Sequence, residues 1–88
     1  VPKYKVSFTD KALNDLDDMS DHDFERIHKA CQRLQDNPLP DGKHIKKLKG
    51  YKDLYRLRIG DYRAVFEWRS EKIIVIRVLT RQDFGKKY

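Results

Sequence analysis

Residues 54–66, Leu-Tyr-Arg-Leu-Arg-Ile-Gly-Asp-Tyr-Arg-Ala-Val-Phe, constrain the fold more than any other stretch of this chain. Side chains alternate on either side of Gly60-Asp61, the pattern of two strands joined by a two-residue turn, with glycine supplying the positive φ that the first position of a II′ turn needs. That register sets Ile59 opposite Tyr62, Arg58 opposite Arg63 and Arg56 opposite Val65. Arg56, Arg58 and Arg63 then share one face, and Leu57, Ile59, Tyr62, Ala64 and Phe66 share the other. Like charges directly opposite each other destabilise a hairpin. An arrangement that tolerates them is best explained by an anion held between them.

The 88 residues suit a single domain, 1–88, long enough for one core and too short for two. No apolar run approaches the roughly 20 residues of a membrane span, and nothing at Val1 resembles a signal peptide, so a soluble, cytoplasmic protein is expected. The single cysteine, Cys31, excludes an internal disulfide and fits a reducing compartment; its place in a helical apolar pattern predicts a small buried hydrophobe. The formal charge of +6 conceals a division: residues 1–42 carry six Lys/Arg against nine Asp/Glu, and residues 43–88 carry fourteen against five. General solubility is the plainer use of such charge, but its segregation points to nucleic acid or the ribosome. Tyr51, Tyr55, Tyr62 and Tyr88 are scattered among the basic residues, where they can stack on bases.

Lys3 to Phe8 alternates and reads as a first strand, with Tyr4, Val6 and Phe8 on one face. Thr9 then caps a helix bearing Ala12, Leu13, Leu16 and Met19, with Asp10 in its first turn and a staple between Phe8 and Leu13. The pattern recurs at Ser20, with Asp23 three residues on and Met19 stapled to Phe24. Phe24, Ile27, Cys31 and Leu34 form the inward stripe of this second helix, which Asn37-Pro38 ends. Residues 37–42 are a turn-rich connection, Ile45 to Leu48 a short strand, Ser70-Glu71 a second turn, and Lys72 to Thr80 a β-branched strand at the sheet centre. The predicted fold class is α+β: an N-terminal strand, an antiparallel helix pair, then a three- to four-stranded antiparallel sheet with helices on one face and the other face partly open.

His22, His28 and His44 lack metal-ligand spacing with Cys31 or with each other, so no metal and no cofactor is expected. No Gly-rich phosphate loop, Ser nucleophile elbow or paired catalytic carboxylates are present. Lys43, Lys46, Lys47, Lys49 and Lys52 read equally as a solvated edge that blunts aggregation and as phosphate-docking charges that add salt-sensitive affinity. Arg56, Arg58 and Arg63 differ in kind, because guanidinium groups bind phosphate bidentately and stay charged at any physiological pH. The plainer alternative for them is ion pairing with Glu67 and Asp53. Arg81 joins them or not according to whether the 70–71 turn has two or three residues, since a one-residue slip reverses the face.

These residues resemble the RelE/ParE superfamily of toxin-antitoxin toxins, and its RelE branch more closely. The resemblance covers nearly the whole chain: the strand and helix pair from Lys3 to Gln35, Lys47-Leu48-Lys49-Gly50, residues 53–63, and the last strand leading to Arg81. The stretch Leu-Tyr-Arg-x-Arg-x-Gly-Asp-Tyr-Arg is its specific part. It implies a RelE-like microbial ribonuclease fold and a ribosome-dependent endoribonuclease that cuts mRNA in the decoding site. Arg56 and Arg58 then occupy the two basic positions before the turn, Arg63 follows Gly-Asp-Tyr, Arg81 is the C-terminal arginine, and Tyr88 resembles the late tyrosine that stacks on a base near the cut.

Under that resemblance a 2′-hydroxyl attacks the adjacent phosphate, with Arg63 and Arg81 stabilising charge and Arg56 holding substrate. Some relatives have lysine where Arg56 and Arg58 stand, and arginine cannot readily serve as a base. No His or Glu replaces it, so the chemistry is expected to rest on positioning and electrostatics with help from rRNA. The implied partners are a cognate antitoxin, the small-subunit decoding site and mRNA, with operator DNA reached only through the antitoxin and no membrane. The antitoxin either covers the arginines or displaces the last segment. Two other readings remain open: a ParE-like inhibitor of DNA gyrase, and a catalytically inactive basic binding module.

Overall fold

The computed structural model describes residues 3–88, so the expectation read at Val1 lies outside the described residues. The strands β1 (Lys5–Phe8), β2 (Ile45–Lys47), β3 (Leu54–Ile59), β4 (Tyr62–Arg69) and β5 (Lys72–Thr80) form one sheet in the order β1-β5-β4-β3-β2. Strands β2 to β5 pair antiparallel, as their sequence predicts. The first strand then enters the sheet parallel to β5, with Val6 opposite Ile73 and Phe8 opposite Val75, which makes the sheet mixed. The helices are α1 (Asp10–Asp17), α2 (Asp21–Gln32), extended by a 3₁₀ turn at Arg33–Gln35, and α3 (Arg81–Lys87).

All three helices start the same way. Thr9 Oγ1 accepts from the Ala12 N–H at 3.2 Å, Ser20 Oγ from Asp23 at 3.2 Å, and Thr80 Oγ1 from Asp83 at 3.1 Å. Each hydroxyl satisfies one of the orphan donors of a first turn. Leu16, Ile27, Cys31 and Leu34 bury against Phe66, Ile73 and Val75 of the sheet to make the main core. Each Leu, Ile, Val or Phe among them contributes about 1.5–3 kcal/mol by leaving water. Leu13 and Phe24 do not join it: they are 44 % and 37 % exposed. Phe24 lies against His28, whose ring stacks on Phe24 and on Phe8 at 5.5 Å each.

A bulge in β5 positions everything downstream. The β4–β5 turn has two residues, with Arg69 opposite Lys72, yet the register shifts between the pairs Phe66–Val75 and Val65–Arg77, leaving Ile76 unpaired. Such an insertion reverses which side chains point to which face. Ile73 and Val75 face the helices before it, and Val78 does so after it, while Arg77 and Leu79 pass to the face that carries Arg63. Val65 and Leu79 are buried there, 0 % and 7 % exposed, outside the main core. Helix α3, which packs on β4 and β5, covers this second, smaller core.

Candidate functional site

The β3–β4 hairpin has the register read from the sequence, Arg58 opposite Arg63 and Arg56 opposite Val65, with Gly60 at φ +57°. The Arg58 N–H donates to His44 on the β2 side at 2.8 Å. Arg58 and Arg63 are therefore a non-hydrogen-bonded pair, whose α-carbons approach to about 4.5 Å with side chains close together. Arg63 is the buried charged side chain of the described residues, 9 % exposed. Its Nη1 donates to the turn carbonyls of Gly60 and Tyr62 at 2.8 and 2.9 Å, which fixes the guanidinium and leaves Nε and Nη2 for a ligand. Burial first, and then the guanidiniums of Arg56, Arg58 and Arg81, pull the Arg63 pKa below the ordinary arginine value.

Neutralising carboxylates are directed elsewhere. Arg69 Nε takes both Asp53 and Glu67, at 3.3 and 3.2 Å, so the acids that offered the plainer account of the arginines are already engaged. Among the described residues Arg56, Arg58, Arg63 and Arg81 form no ion pair. The guanidiniums of Arg56, Arg58 and Arg81 all bear on Arg63, with Asp61 opposing them through its charge but in no ion pair, so positive charge predominates and suits an anion.

Arg81 reaches this group because of the bulge. With an unbroken β5, Val78 would stand opposite Arg63 and Arg81 would leave on the helix face; with Ile76 looped out, Leu79 is opposite Arg63 and Arg81 follows on the same side. The Arg81 N–H then donates to the Asp61 carbonyl at 2.7 Å, tying the start of α3 to the hairpin turn. From there α3 carries Tyr88 back over the sheet, where its ring lies 5.4 Å from Phe84 and 5.5 Å from Tyr51. Tyr51, in the β2–β3 connection, is 40 % exposed. Burial, with Tyr51 close by, raises the Tyr88 pKa.

The other residues expected at the site divide. Tyr55 stacks on Phe66 and meets Trp68 in the helix-side core, and Tyr62 donates from its hydroxyl to Asp23 on α2 at 3.3 Å, so neither is available to a base on the arginine face. Lys46 pairs with Arg56 and shares its face, whereas Lys47 pairs with Tyr55 and belongs to the opposite one. Lys43, Lys49 and Lys52 are exposed in the connections around β2. The turn before β2 is organised by Asp41, whose Oδ1 accepts the N–H groups of Lys43, His44 and Ile45 at 2.9, 2.7 and 2.9 Å. Those bonds, led by Ile45 and Lys43, hold its carboxyl well below the usual carboxylate range. Among the described residues no group of three His, Cys, Asp or Glu is placed to hold a metal ion.

A mixed sheet with a helix pair on one side and an arginine cluster beside a C-terminal helix on the other defines a class of small basic α+β domains. A family model described as the ParE toxin of the type II toxin-antitoxin system parDE matches residues 6–83. Toxin RelE3 of Methanocaldococcus jannaschii is 40 % identical over 81 residues, covering 90 % of this chain and 92 % of its own. Among solved structures, the RelB-RelE antitoxin-toxin complex from Methanococcus jannaschii aligns at 34 % identity and TM-score 0.74, over 92 % of this chain and 96 % of the other. The archaeal RelE-RelB complex from Pyrococcus horikoshii OT3 aligns at 27 % and 0.74, over 90 % and 96 %. The chain belongs to the RelE/ParE family of type II toxin-antitoxin toxins.

Proposed function

We propose that this protein is a ribosome-dependent mRNA endoribonuclease held in check by a cognate antitoxin. The observation that carries the reading is the convergence of Arg56, Arg58 and Arg81 on a buried, carbonyl-anchored Arg63 with no carboxylate paired to any of them. A scissile phosphate held there is oriented by bidentate contacts from Arg56 and Arg58. As the 2′-oxygen bonds to phosphorus and the 5′-oxygen leaves, giving a cyclic phosphate, Arg63 and Arg81 stabilise the charge gathering on the non-bridging oxygens. Tyr88 supplies a stacking surface for a base beside the cut. Among the described residues no imidazole or carboxylate is paired with these arginines, and Asp61 bears on Arg63 only through its charge, so movement of the proton from the 2′-hydroxyl to the leaving oxygen depends on the ribosome, and cleavage of free RNA is slow or absent. Relatives crystallised as RelB-RelE complexes support an antitoxin partner. Lys43, Lys46, Lys47, Lys49 and Lys52 add sequence-independent affinity for rRNA.

Primer extension on a defined mRNA, with and without ribosomes stalled at an empty decoding site, tests this. Cleavage only with ribosomes, lost in Arg63→Ala and Arg81→Ala, is the expected result. The ParE description of the matching family model favours a second reading, inhibition of DNA gyrase by binding. No cleavage under either condition, together with inhibition in a supercoiling assay, would replace the first reading with the second.

A further inference from the structure

A second cationic site lies on the other side of the hairpin turn. A cleft of about 420 Å³ opens between α2 and the β2–β3 edge, lined by Arg26 and Arg33 from α2 and its 3₁₀ extension, by His44 before β2, and by the Arg58 to Gly60 end of β3. No Asp or Glu lines it. The nearest acids are only loosely engaged from outside, Asp23 at 3.7 Å from Arg26 and Asp41 at 3.5 Å from His44. Arg33 and Arg58 form no ion pair among the described residues.

Arg26 reaches the turn itself: a Cβ placed on Gly60 would stand 3.2 Å from its Nη1. Arg63 Nη1 bonds the carbonyl of the same glycine at 2.8 Å. Two guanidiniums from two different elements thus meet one residue, while Arg58, whose side chain the register sets beside Arg63, lines the cleft from its place in the strand between Leu57 and Ile59. Gly60 is the point at which the arginine face and the cleft approach each other, with Arg63 on one side and Arg26 on the other. The acidic balance of residues 1–42 hides these two helical arginines from a reading by segment charge.

We propose that this cleft is a second phosphodiester-binding subsite, which holds the backbone of RNA flanking the segment on the arginine face. The inference rests on the reading of that face as an RNA site. An acidic peptide is the competing occupant, and the floor argues against it. Leu34, Ile45, Leu57 and Ile59 are already 2–8 % exposed and committed to the domain's own core, whereas a peptide draws its affinity from apolar anchors that it buries itself. Phosphate is the ligand that fixed guanidiniums recognise without such anchors.

Fluorescence anisotropy with a labelled single-stranded oligouridylate, measured over a salt series, tests the subsite on the whole chain, with circular dichroism as the check on folding. Arg26→Gln/Arg33→Gln is expected to weaken binding and to lower the slope of log K against log salt by about 1.4, at about 0.7 for each single-strand phosphate that the variant no longer neutralises. Unchanged affinity and slope in this folded variant, alongside a loss in Arg63→Gln, would overturn the cleft and leave the arginine face intact. Absence of RNA binding by the unaltered protein would overturn both. Unchanged RNA binding with loss of poly-glutamate binding in Arg26→Gln/Arg33→Gln would replace RNA by an acidic peptide as the occupant.

Discussion

Arg77 donates from Nε and Nη2 to the two carboxylate oxygens of Asp15, at 2.8 and 3.1 Å, and the nearer oxygen also accepts the Val78 N–H at 2.9 Å. The edge of β5 is paired by β1 only through Val75. Beyond it, Thr9 Oγ1 donates to the Ile76 carbonyl at 2.7 Å and Asp15 takes the next available N–H, so α1 continues the work of the missing strand through side chains.

Replacing Asp15 by Asn keeps the shape and removes the charge. The two side chains are only 18 % and 23 % exposed, so loss of this charge-assisted pair is expected to cost about 1–3 kcal/mol of unfolding free energy in urea titration. A change within about 0.5 kcal/mol, the range of ordinary surface substitutions, would show that the pair contributes nothing.

Arg63→Lys preserves the charge and loses the fork. An ammonium that holds the carbonyls of Gly60 and Tyr62 has one donor left, whereas the guanidinium keeps Nε and Nη2 as a fixed fork for a phosphate. Cleavage on programmed ribosomes is expected to fall about 100-fold or more, the cost typical of losing one preorganised charge-stabilising donor. Activity near that of the unaltered protein would mean that charge alone is needed at this position.

Asp41 ties the stability of the folded state to pH. Its folded pKa is depressed by three backbone N–H bonds, so its contribution to stability is complete above the unfolded value of about 3.9 and is lost as pH falls through the folded value. The melting temperature of the unaltered protein should exceed that of Asp41→Asn at neutral pH, and the gap should narrow below about pH 4. A gap that is constant from pH 7 to pH 2 would place the effect in packing.

Cys31 is buried, and burial pushes its thiol up to about 12. At pH 8 the native protein should react with a disulfide reagent no faster than it unfolds, and stoichiometrically once denatured. Rapid native labelling would put the thiol at the surface.

Much of this fold is written in local patterns. The hairpin register, the two helix caps at Thr9 and Ser20 and the burial of Cys31 follow from spacing alone, because neighbouring residues determine them. The third helix was equally legible: Thr80 and Asp83 repeat the spacing of Ser20 and Asp23, a capping signal at the end of a strand. The parallel entry of β1 was not, since strand direction across a sheet depends on residues far apart. Nor was the face of Arg81, because nothing in Ile73-Ile74-Val75-Ile76 marks which residue will loop out. Tyr55 and Tyr62 lie in the same alternation as Leu57 and Ile59, and that periodicity, more than their basic neighbours, places them inside. Arg26 and Arg33 escape notice on an acidic helix, where only the tertiary fold brings them to the hairpin.

The pairing of residues 5–8 with residues 72–75 gives the domain a long folding horizon. The sheet cannot close around the early helices until β5 exists, and loop-closure entropy must be paid before that pairing returns anything. Arg81 stands just beyond β5, so the guanidinium cluster comes into being only once that strand has taken its place. A chain that has not yet placed β5 therefore carries these charges without bringing them together.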